Sequence, residues 1–160
     1  MPAPLTVATS SDLEILITRT FEAPRALVFL CYSKPDLVRR WLGPPDWTMP
    51  VCDIDFRVGG KWRYVLKSPD GSMEMGFGGV YREIAAPTRI VNTELYDHDW
   101  TGGETLASAT FEQCSGTTTV STLVHYASVA ARDNVLASPM AQGMEVSYGR
   151  LDTLLSAQAA

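Results

Sequence analysis

The fold of this chain is decided by one stretch near its end, residues 138–157, which reads SPMAQGMEVSYGRLDTLLSA. Its large apolar side chains recur every three or four positions and therefore share one face of a helix. They are Met140, Met144, Tyr148, Leu151 and Leu155. Ser138 suits an N-cap, and Pro139 is tolerated in a first helical turn. The pattern predicts one long helix at this end of the chain.

Most of the chain before this helix alternates between apolar and polar residues with a period of two, which is typical of strands. The first predicted strand covers residues 14–21, and two short helices follow over residues 25–33 and 36–42. Further strands are predicted over residues 51–56, 61–67, 73–84, 89–96, 105–113 and 117–126. A sheet must bury one face, and the long helix is the element available to cover it.

This order predicts one α+β domain over residues 13–160, preceded by a flexible lead-in over residues 1–12. In that domain a curved antiparallel sheet of about six to seven strands wraps around the long C-terminal helix. Asp70-Gly71 predicts a tight hairpin, because this pair supplies positive φ angles. Gly76, Gly78 and Gly79 predict a bulge or bend that lets the sheet curl.

The composition makes several classes of function improbable. With 160 residues, 46% of them hydrophobic, the chain is long enough for one domain with its own core. Its net charge is −5 and no positive patch is visible, so we expect no nucleic-acid partner. No apolar run approaches the ~18 residues of a membrane helix. The N-terminus lacks a signal-peptide pattern, so we expect a cytoplasmic protein without a membrane partner.

The cysteines indicate neither a disulfide framework nor a metal site. Cys31, Cys52 and Cys114 are an odd number and include no CxxC pair. We expect all three to behave as small buried apolar residues. No basic residue lies next to a cysteine in the sequence to lower the pKa of its thiol, so we do not expect a catalytic cysteine. We also predict no cofactor.

Short motifs in order along the chain are similar to those of a known family. They are Phe21-Glu22-Ala23-Pro24, Trp41-Leu42-Gly43-Pro44, Gly59-Gly60-Lys61-Trp62, Gly79-Val80-Tyr81-Arg82-Glu83-Ile84, and Gly143-Met144 with Ser147 and Arg150-Leu151. With them the chain resembles the group similar to the activator of the heat-shock-protein-90 ATPase, within the START-like (birch-pollen-allergen-like) superfamily. The resemblance spans about residues 14–155. It implies the helix-grip fold, with a hydrophobic cavity between the sheet and the long helix.

The predicted ligand site lies where the sheet faces that helix. Trp62 and Tyr64 share one face of their strand, and the other members come from the helices and neighbouring strands. The full set is Trp41, Trp62, Tyr64, Phe77, Phe111, Met140, Met144 and Tyr148. Large aromatic rings and flexible methionines suit an apolar, roughly flat ligand. The alternative is that the same side chains simply fill the core.

Histidines provide two further candidates. His98 lies between Asp97 and Asp99, with Glu104 nearby, in a pattern that either holds a metal or forms a solvated acidic loop. His125, near the end of the last strand, is a general base if it faces the cavity and a structural residue if it does not.

Glu94 and Asn92 share one face of the strand over residues 89–96. They form a polar anchor or an acid inside the pocket if that face points inward. If Val91, Thr93 and Leu95 point inward instead, Glu94 lies in solvent, and the pattern leaves both orientations open. Trp47 is either a lid or a clasp in its proline-flanked loop.

Three functions follow from these patterns. The first, which we predict, is binding of a small hydrophobic or aromatic molecule. The second is an interaction module that acts on a chaperone or as a homodimer. The eukaryotic chaperone activators carry a further N-terminal domain for which this chain has no room, so chaperone activation itself is not expected. The third is a cyclase-like or hydrolase-like enzyme that uses Glu94 with His125.

Overall fold

A computed structural model of the protein describes residues 5–159. Its strands are β1 Thr6–Ser11, β2 Glu14–Phe21, β3 Thr48–Ile54, β4 Lys61–Lys67, β5 Glu74–Ala85, β6 Arg89–Tyr96, β7 Thr105–Cys114 and β8 Thr117–His125. Its helices are α1 Arg25–Ser33, α2 Pro35–Trp41, α3 Val129–Ala137 and α4 Met140–Ala159. No helix in this part of the chain is long and apolar enough to cross a membrane.

These eight strands form one antiparallel sheet in the order β1-β2-β8-β7-β6-β5-β4-β3. The sheet does not close, because β1 and β3 lie at its two edges without pairing to each other. It curves around α4, so the predicted α+β helix-grip architecture is confirmed. The register of β5 against β6 shifts between Tyr81 and Glu83, shortly after the glycines that predicted a bend.

The edge strand β1 lies inside the segment that we expected to be a flexible lead-in. Thr6–Ser11 pairs with β2 through Thr6 opposite Thr18 and Ser11 opposite Glu14. All six of its side chains are exposed, so no apolar alternation marks it as a strand. Residues 1–4 of the predicted lead-in and residue 160 of the predicted domain lie outside the described residues.

The helix α3 is absent from the sequence-based prediction. The Ser128 hydroxyl caps it by accepting the Ala131 N–H at 3.0 Å. Only Ala131 and Val135 are buried along its nine residues, and this stripe is too short to reveal a helix. Ser138, predicted as the N-cap of the long helix, instead bonds backwards, since its hydroxyl donates to the Val135 carbonyl at 2.6 Å.

The core lies between α4 and the concave face of the sheet. Alternate residues of β2 point inward, and they are Ile15, Ile17, Arg19 and Phe21. Leu151 of α4 is fully buried among them, and Tyr148 meets Phe21 edge-on with ring centroids 5.4 Å apart. The helix thus covers one half of the concave face closely and leaves space over the other half.

Candidate ligand-binding cavity

A cavity of about 450 Å³ lies between the concave face of the sheet and α4. This volume is within the range of sites that hold small molecules. Side chains of a strand alternate between its two faces, so β6 contributes every second residue. These are Ile90, Asn92, Glu94 and Tyr96. The helix contributes positions at helical spacing, which are Met140, Gly143, Met144, Ser147 and Tyr148.

All the predicted site residues except Phe111 line this cavity. They are Trp41, Trp62, Tyr64, Phe77, Met140, Met144 and Tyr148. Phe111 is 1% exposed and packs in the adjacent core, with its ring 5.2 Å from Phe29 and 5.1 Å from Tyr32. Phe111 therefore lies outside the lining of this cavity, because α1 packs over β7 and covers it. Ligand binding by the other seven stays a prediction.

One wall of the cavity is a continuous row of aromatic rings. The ring centroids of Trp62 and Tyr64 are 4.8 Å apart, and those of Tyr64 and Phe77 are 5.6 Å apart. Phe77 stacks on Tyr96 at 4.7 Å, and Tyr96 meets Trp100 at 5.4 Å. Strand register creates the row, because Tyr64 lies opposite Phe77 and Phe77 lies opposite Tyr96.

Trp41, at the end of α2, forms part of the cavity wall. Its ring is 4% exposed, and its Nε1–H donates to the Cys31 carbonyl at 2.9 Å. It stacks on Tyr148 at 6.2 Å and leans on Tyr32 at 5.0 Å. Trp47 packs against the core without lining the cavity.

The loop after α2 is hydrogen-bonded to α4 where both border the cavity. The Ser147 hydroxyl accepts the Gly43 N–H at 3.1 Å and lies 3.3 Å from the Gly43 carbonyl, to which it can donate. Arg150 donates to the carbonyls of Gly43 and Arg40, both at 3.2 Å. Gly43 has a φ of +111°, and a Cβ there would lie 3.0 Å from Leu66. We call this set of contacts, among Arg40, Gly43, Ser147 and Arg150, the loop–helix latch.

Glu94 points into the cavity, which resolves the orientation that the sequence left open. It is half-buried, and Asn92 lies beside it on the same face. Burial raises the pKa of Glu94 from an ordinary 4.5 to about 7, and a hydrogen-bond interaction with Tyr96 opposes part of that rise. Among the described residues that line the cavity, Glu94 is the one charged side chain. The cavity therefore combines an apolar body with one carboxyl group.

His125 does not join Glu94, so the predicted Glu94–His125 acid–base pair is wrong. Val124 lines the cavity, and the next residue, His125, therefore points to the other face of the sheet. Its ring is 52% exposed and lies 3.9 Å from Glu14. The sequence could not show this, because alternation fixes two faces without saying which is inward.

The acidic side chains around His98 are engaged in contacts other than metal binding. Arg63 donates two hydrogen bonds to Asp97, at 2.8 and 2.6 Å. Asp99 accepts the Gly103 N–H at 2.9 Å. Within residues 5–159, no group of three or more His, Cys, Asp or Glu side chains is arranged to hold a metal ion.

The cysteines are weak nucleophiles where they are buried. Burial raises the pKa of Cys31 to about 11, and it also raises the pKa of Cys52. Cys114 is exposed, so the expectation that all three are buried is wrong for this residue. It ends β7 beside a turn, where apolar alternation stops.

In the part of the chain that the structure describes, two buried polar atoms near the cavity lack a hydrogen-bond partner, and no sequence pattern indicates them. They are the Trp62 indole nitrogen and the Tyr32 hydroxyl. The Tyr148 hydroxyl lies close enough to Tyr32 to affect its ionisation, but not in hydrogen-bonding geometry. Buried polar groups usually have a hydrogen-bond partner, so these two atoms show that the hydrogen-bonding capacity beside the cavity is not fully used.

An open groove of about 530 Å³ lies on the outer face of the sheet. Val91, Thr93 and Leu106 line it together with the charged side chains Arg82 and Glu104. It is shallower and less apolar than the cavity. Thr105 and Tyr126 contribute to both, so they separate the groove from the cavity.

A curved sheet, a long covering helix and a cavity between them define a helix-grip protein. The chain belongs to the family described as activator of Hsp90 ATPase homolog 1-like protein, whose model matches residues 22–156. This confirms the resemblance that the motifs indicated. A comparison with curated protein sequences finds no match.

Solved structures support the same fold. A protein from Rhodobacter sphaeroides is 33% identical, with a TM-score of 0.91 over 97% of this chain and 99% of that one. A protein from Mycobacterium smegmatis is 26% identical, with a TM-score of 0.82 over 95% of this chain and 97% of its own. An AHSA1-like protein from Aeromonas hydrophila shares the fold at 19% identity, with a TM-score of 0.67 over 87% of this chain and 93% of that chain.

Proposed function

We propose that the protein binds a small hydrophobic or aromatic molecule between the sheet and α4. The observation that carries this proposal is the cavity of about 450 Å³ beside an otherwise well-packed core. Apolar burial contributes ~25 cal/mol per Å², so the aromatic row and the methionines supply most of the affinity. Met140 and Met144 adapt to different ligand shapes, because their side chains are unbranched and flexible.

The alternative of a filled core has less support. Phe21, Phe111 and Leu151 are at most 1% exposed and fill the part of the interior beside β2 and β7. The side chains over β4, β5 and β6 surround open volume instead. An apolar void of this size forfeits dispersion contacts, and an occupant would restore them.

The test is a pair of tryptophan substitutions on α4, with 1-naphthylmethanol as the probe. Met144→Trp places a larger ring in the cavity, and Val146→Trp places the same ring on an exposed position of the same helix. We expect the first to weaken binding at least ~10-fold, a change of ~1.4 kcal/mol, and the second to leave it unchanged. Calorimetry measures the affinity, and circular dichroism checks the fold.

Unchanged affinity in a folded Met144→Trp variant would remove this cavity as the site. Native mass spectrometry of freshly purified protein adds an independent observation, because a co-purified apolar molecule would identify the ligand class. The homodimer and the chaperone partner predicted from the sequence stay predictions, and the family is compatible with a chaperone interaction as well as with a small molecule.

A further inference from the structure

We propose that the ligand is a hydrophobic or aromatic amine, whose nitrogen is bound by Glu94 while its apolar body lies along the aromatic row. This inference rests on the proposed function and specifies its ligand class. Three features of the cavity support it: the position of Glu94, the lack of a cation beside it among the described residues, and the rings around it.

Glu94 shares the cavity lining with several hydroxyl-bearing side chains. Its backbone carbonyl faces the Thr105 hydroxyl of β7 at 3.4 Å. Tyr96 follows on the same strand, and Tyr126 lies just beyond the end of β8. Thr101 also lines the cavity. Hydroxyl groups there can orient a polar ligand head, but none of them carries a positive charge.

Within residues 5–159, the cavity lining offers no cation to the Glu94 carboxylate, since it includes no Lys, Arg or His. Arg19 forms ion pairs with Glu145 and Asp152, and Arg63 forms an ion pair with Asp97. Ionising a half-buried carboxylate without a cation is unfavourable, and a ligand ammonium group would supply the missing charge and the hydrogen-bond donors. A ligand carboxylate would meet like charge instead.

The surrounding rings favour the same chemistry. Tyr96 lies two residues after Glu94 on the same face of β6, and it stacks on Phe77 and meets Trp100, so the aromatic row adjoins the Glu94 position. Aromatic faces carry partial negative charge and attract cations. A carboxylate beside a row of aromatic rings is therefore complementary to a positively charged nitrogen attached to an apolar body.

This recognition depends on pH, because only ionised Glu94 pairs with an ammonium group. Burial raises the pKa of Glu94 to about 7, so the carboxylate forms progressively between about pH 6 and pH 8. The titratable groups around it are the phenols of Tyr96, Tyr126 and Tyr64, and burial raises the pKa of each. They stay neutral in this range, and the opposing position on β7 is Thr105, which does not titrate.

The experiment compares three probes of similar body: 1-naphthylmethylamine, 1-naphthylmethanol and 1-naphthylacetic acid. At about pH 8 we expect the amine to bind at least ~10-fold more tightly than the acid, as a charge-assisted hydrogen bond requires. Glu94→Gln should remove this preference and leave the alcohol affinity nearly unchanged. Glu104→Gln is the matched control, since it removes one carboxylate from the outer groove.

The outcomes separate this inference from the proposed function. Equal binding of all three probes, or tighter binding of the acid, would overturn the amine assignment and leave the ligand-binding proposal standing. Failure of every probe to bind the wild-type protein would overturn both. If Glu94→Gln does not fold, the wild-type amine-to-alcohol affinity ratio decides, because it must rise between about pH 6 and pH 8.

Discussion

Glu94 lies among aromatic and aliphatic side chains, where ionisation is unfavourable. Its pKa of about 7 in the folded protein exceeds the ordinary value of 4.5. The folded state therefore binds this proton more tightly than the unfolded chain does. By linkage, the contribution of Glu94 to the free energy of unfolding is greatest below about pH 4.5 and decreases as the pH rises through about 7. A charged group that lowers the stability of the folded protein in this way is typical of a functional site, where residues needed for binding often reduce stability.

The first prediction concerns the free energy of unfolding of Glu94→Gln. At about pH 8 we expect the variant to be more stable than the wild type by up to ~3 kcal/mol, because it removes the ionisation cost. At about pH 4.5 the two proteins should be nearly equal, since the wild-type side chain is then neutral in the folded state. Urea unfolding at both pH values measures this. A variant that is less stable at the higher pH would contradict it.

Arg19 is a second charged residue on the inward face, and the alternation of β2 reveals it in the sequence. Its side chain is 5% exposed and pairs with Asp152 at 2.7 Å and Glu145 at 3.2 Å. The guanidinium also lies 5.0 Å from the centre of the Phe21 ring. It therefore joins β2 to α4 at the packed end of the core.

The second prediction is that Arg19→Met destabilises the protein by about 2 kcal/mol. This is less than the ~3–5 kcal/mol of a fully buried pair, because Glu145 and Asp152 are partly exposed and regain water. Arg57→Met is the control: Arg57 is 72% exposed and pairs with Asp55, so we expect less than ~0.5 kcal/mol. Chemical denaturation compares the two variants. Equal losses in the free energy of unfolding of the two variants would show that the Arg19 ion pairs do not hold β2 and α4 together.

At the scale of elements, strongly periodic segments were predictable and weakly periodic ones were not. The bounds of α1, β2, β4 and β6 agree with the sequence prediction. By contrast, β1 has no buried face and α3 has only two buried residues. Elements without an apolar stripe lack the signal on which prediction from sequence depends.

The candidate site was predictable as a set of side chains but not as a geometry. Alternation on β6 grouped Asn92 with Glu94, but Val91 and Thr93 on the other face are also buried, at 7% and 3% exposure. Because residues on both faces of β6 are buried, the pattern could not say which face meets α4. Strand pairing and the position of the helix decide that question, and both are long-range.

The third prediction concerns the glycines within α4. Gly143 and Gly149 have open space where a Cβ would lie, so alanine fits at either position. Each substitution should raise the free energy of unfolding by up to ~1 kcal/mol, since glycine is a poor helix former. Gly43→Ala should instead destabilise by ~1–3 kcal/mol, because its φ is +111° and Leu66 lies close. Denaturant titration distinguishes the two directions, and destabilisation by both helix substitutions would argue against a regular α4.

At the scale of the whole molecule, the sheet and α4 enclose the cavity from two sides, and the loop–helix latch joins α4 to the end of α2 and the loop after it at the border of the cavity. Three of the four latch residues belong to the motifs that first indicated the family, namely Gly43 in the α2–β3 loop and Ser147 and Arg150 in α4. Movement of the α2–β3 loop away from α4 would widen the cavity at this border. We expect opening at the latch, because the α2–β3 loop is held to α4 there by a few hydrogen bonds, whereas α2 itself also packs on α4 through Trp41 and Tyr148.

The last prediction is that Ser147→Ala speeds both entry and release of 1-naphthylmethanol. The substitution removes the hydroxyl that contacts both the N–H and the carbonyl of Gly43, so the closed state loses ~1 kcal/mol and the rates rise about 5-fold. The dissociation constant should change less than either rate, since the rings that bind the probe are untouched. Thr153→Ala is the matched control, because its exposed hydroxyl bonds only within α4. Stopped-flow fluorescence measures the rates. Rates equal to those of the wild type would place ligand entry elsewhere, and an equal acceleration by Thr153→Ala would attribute the effect to α4 itself rather than to the latch.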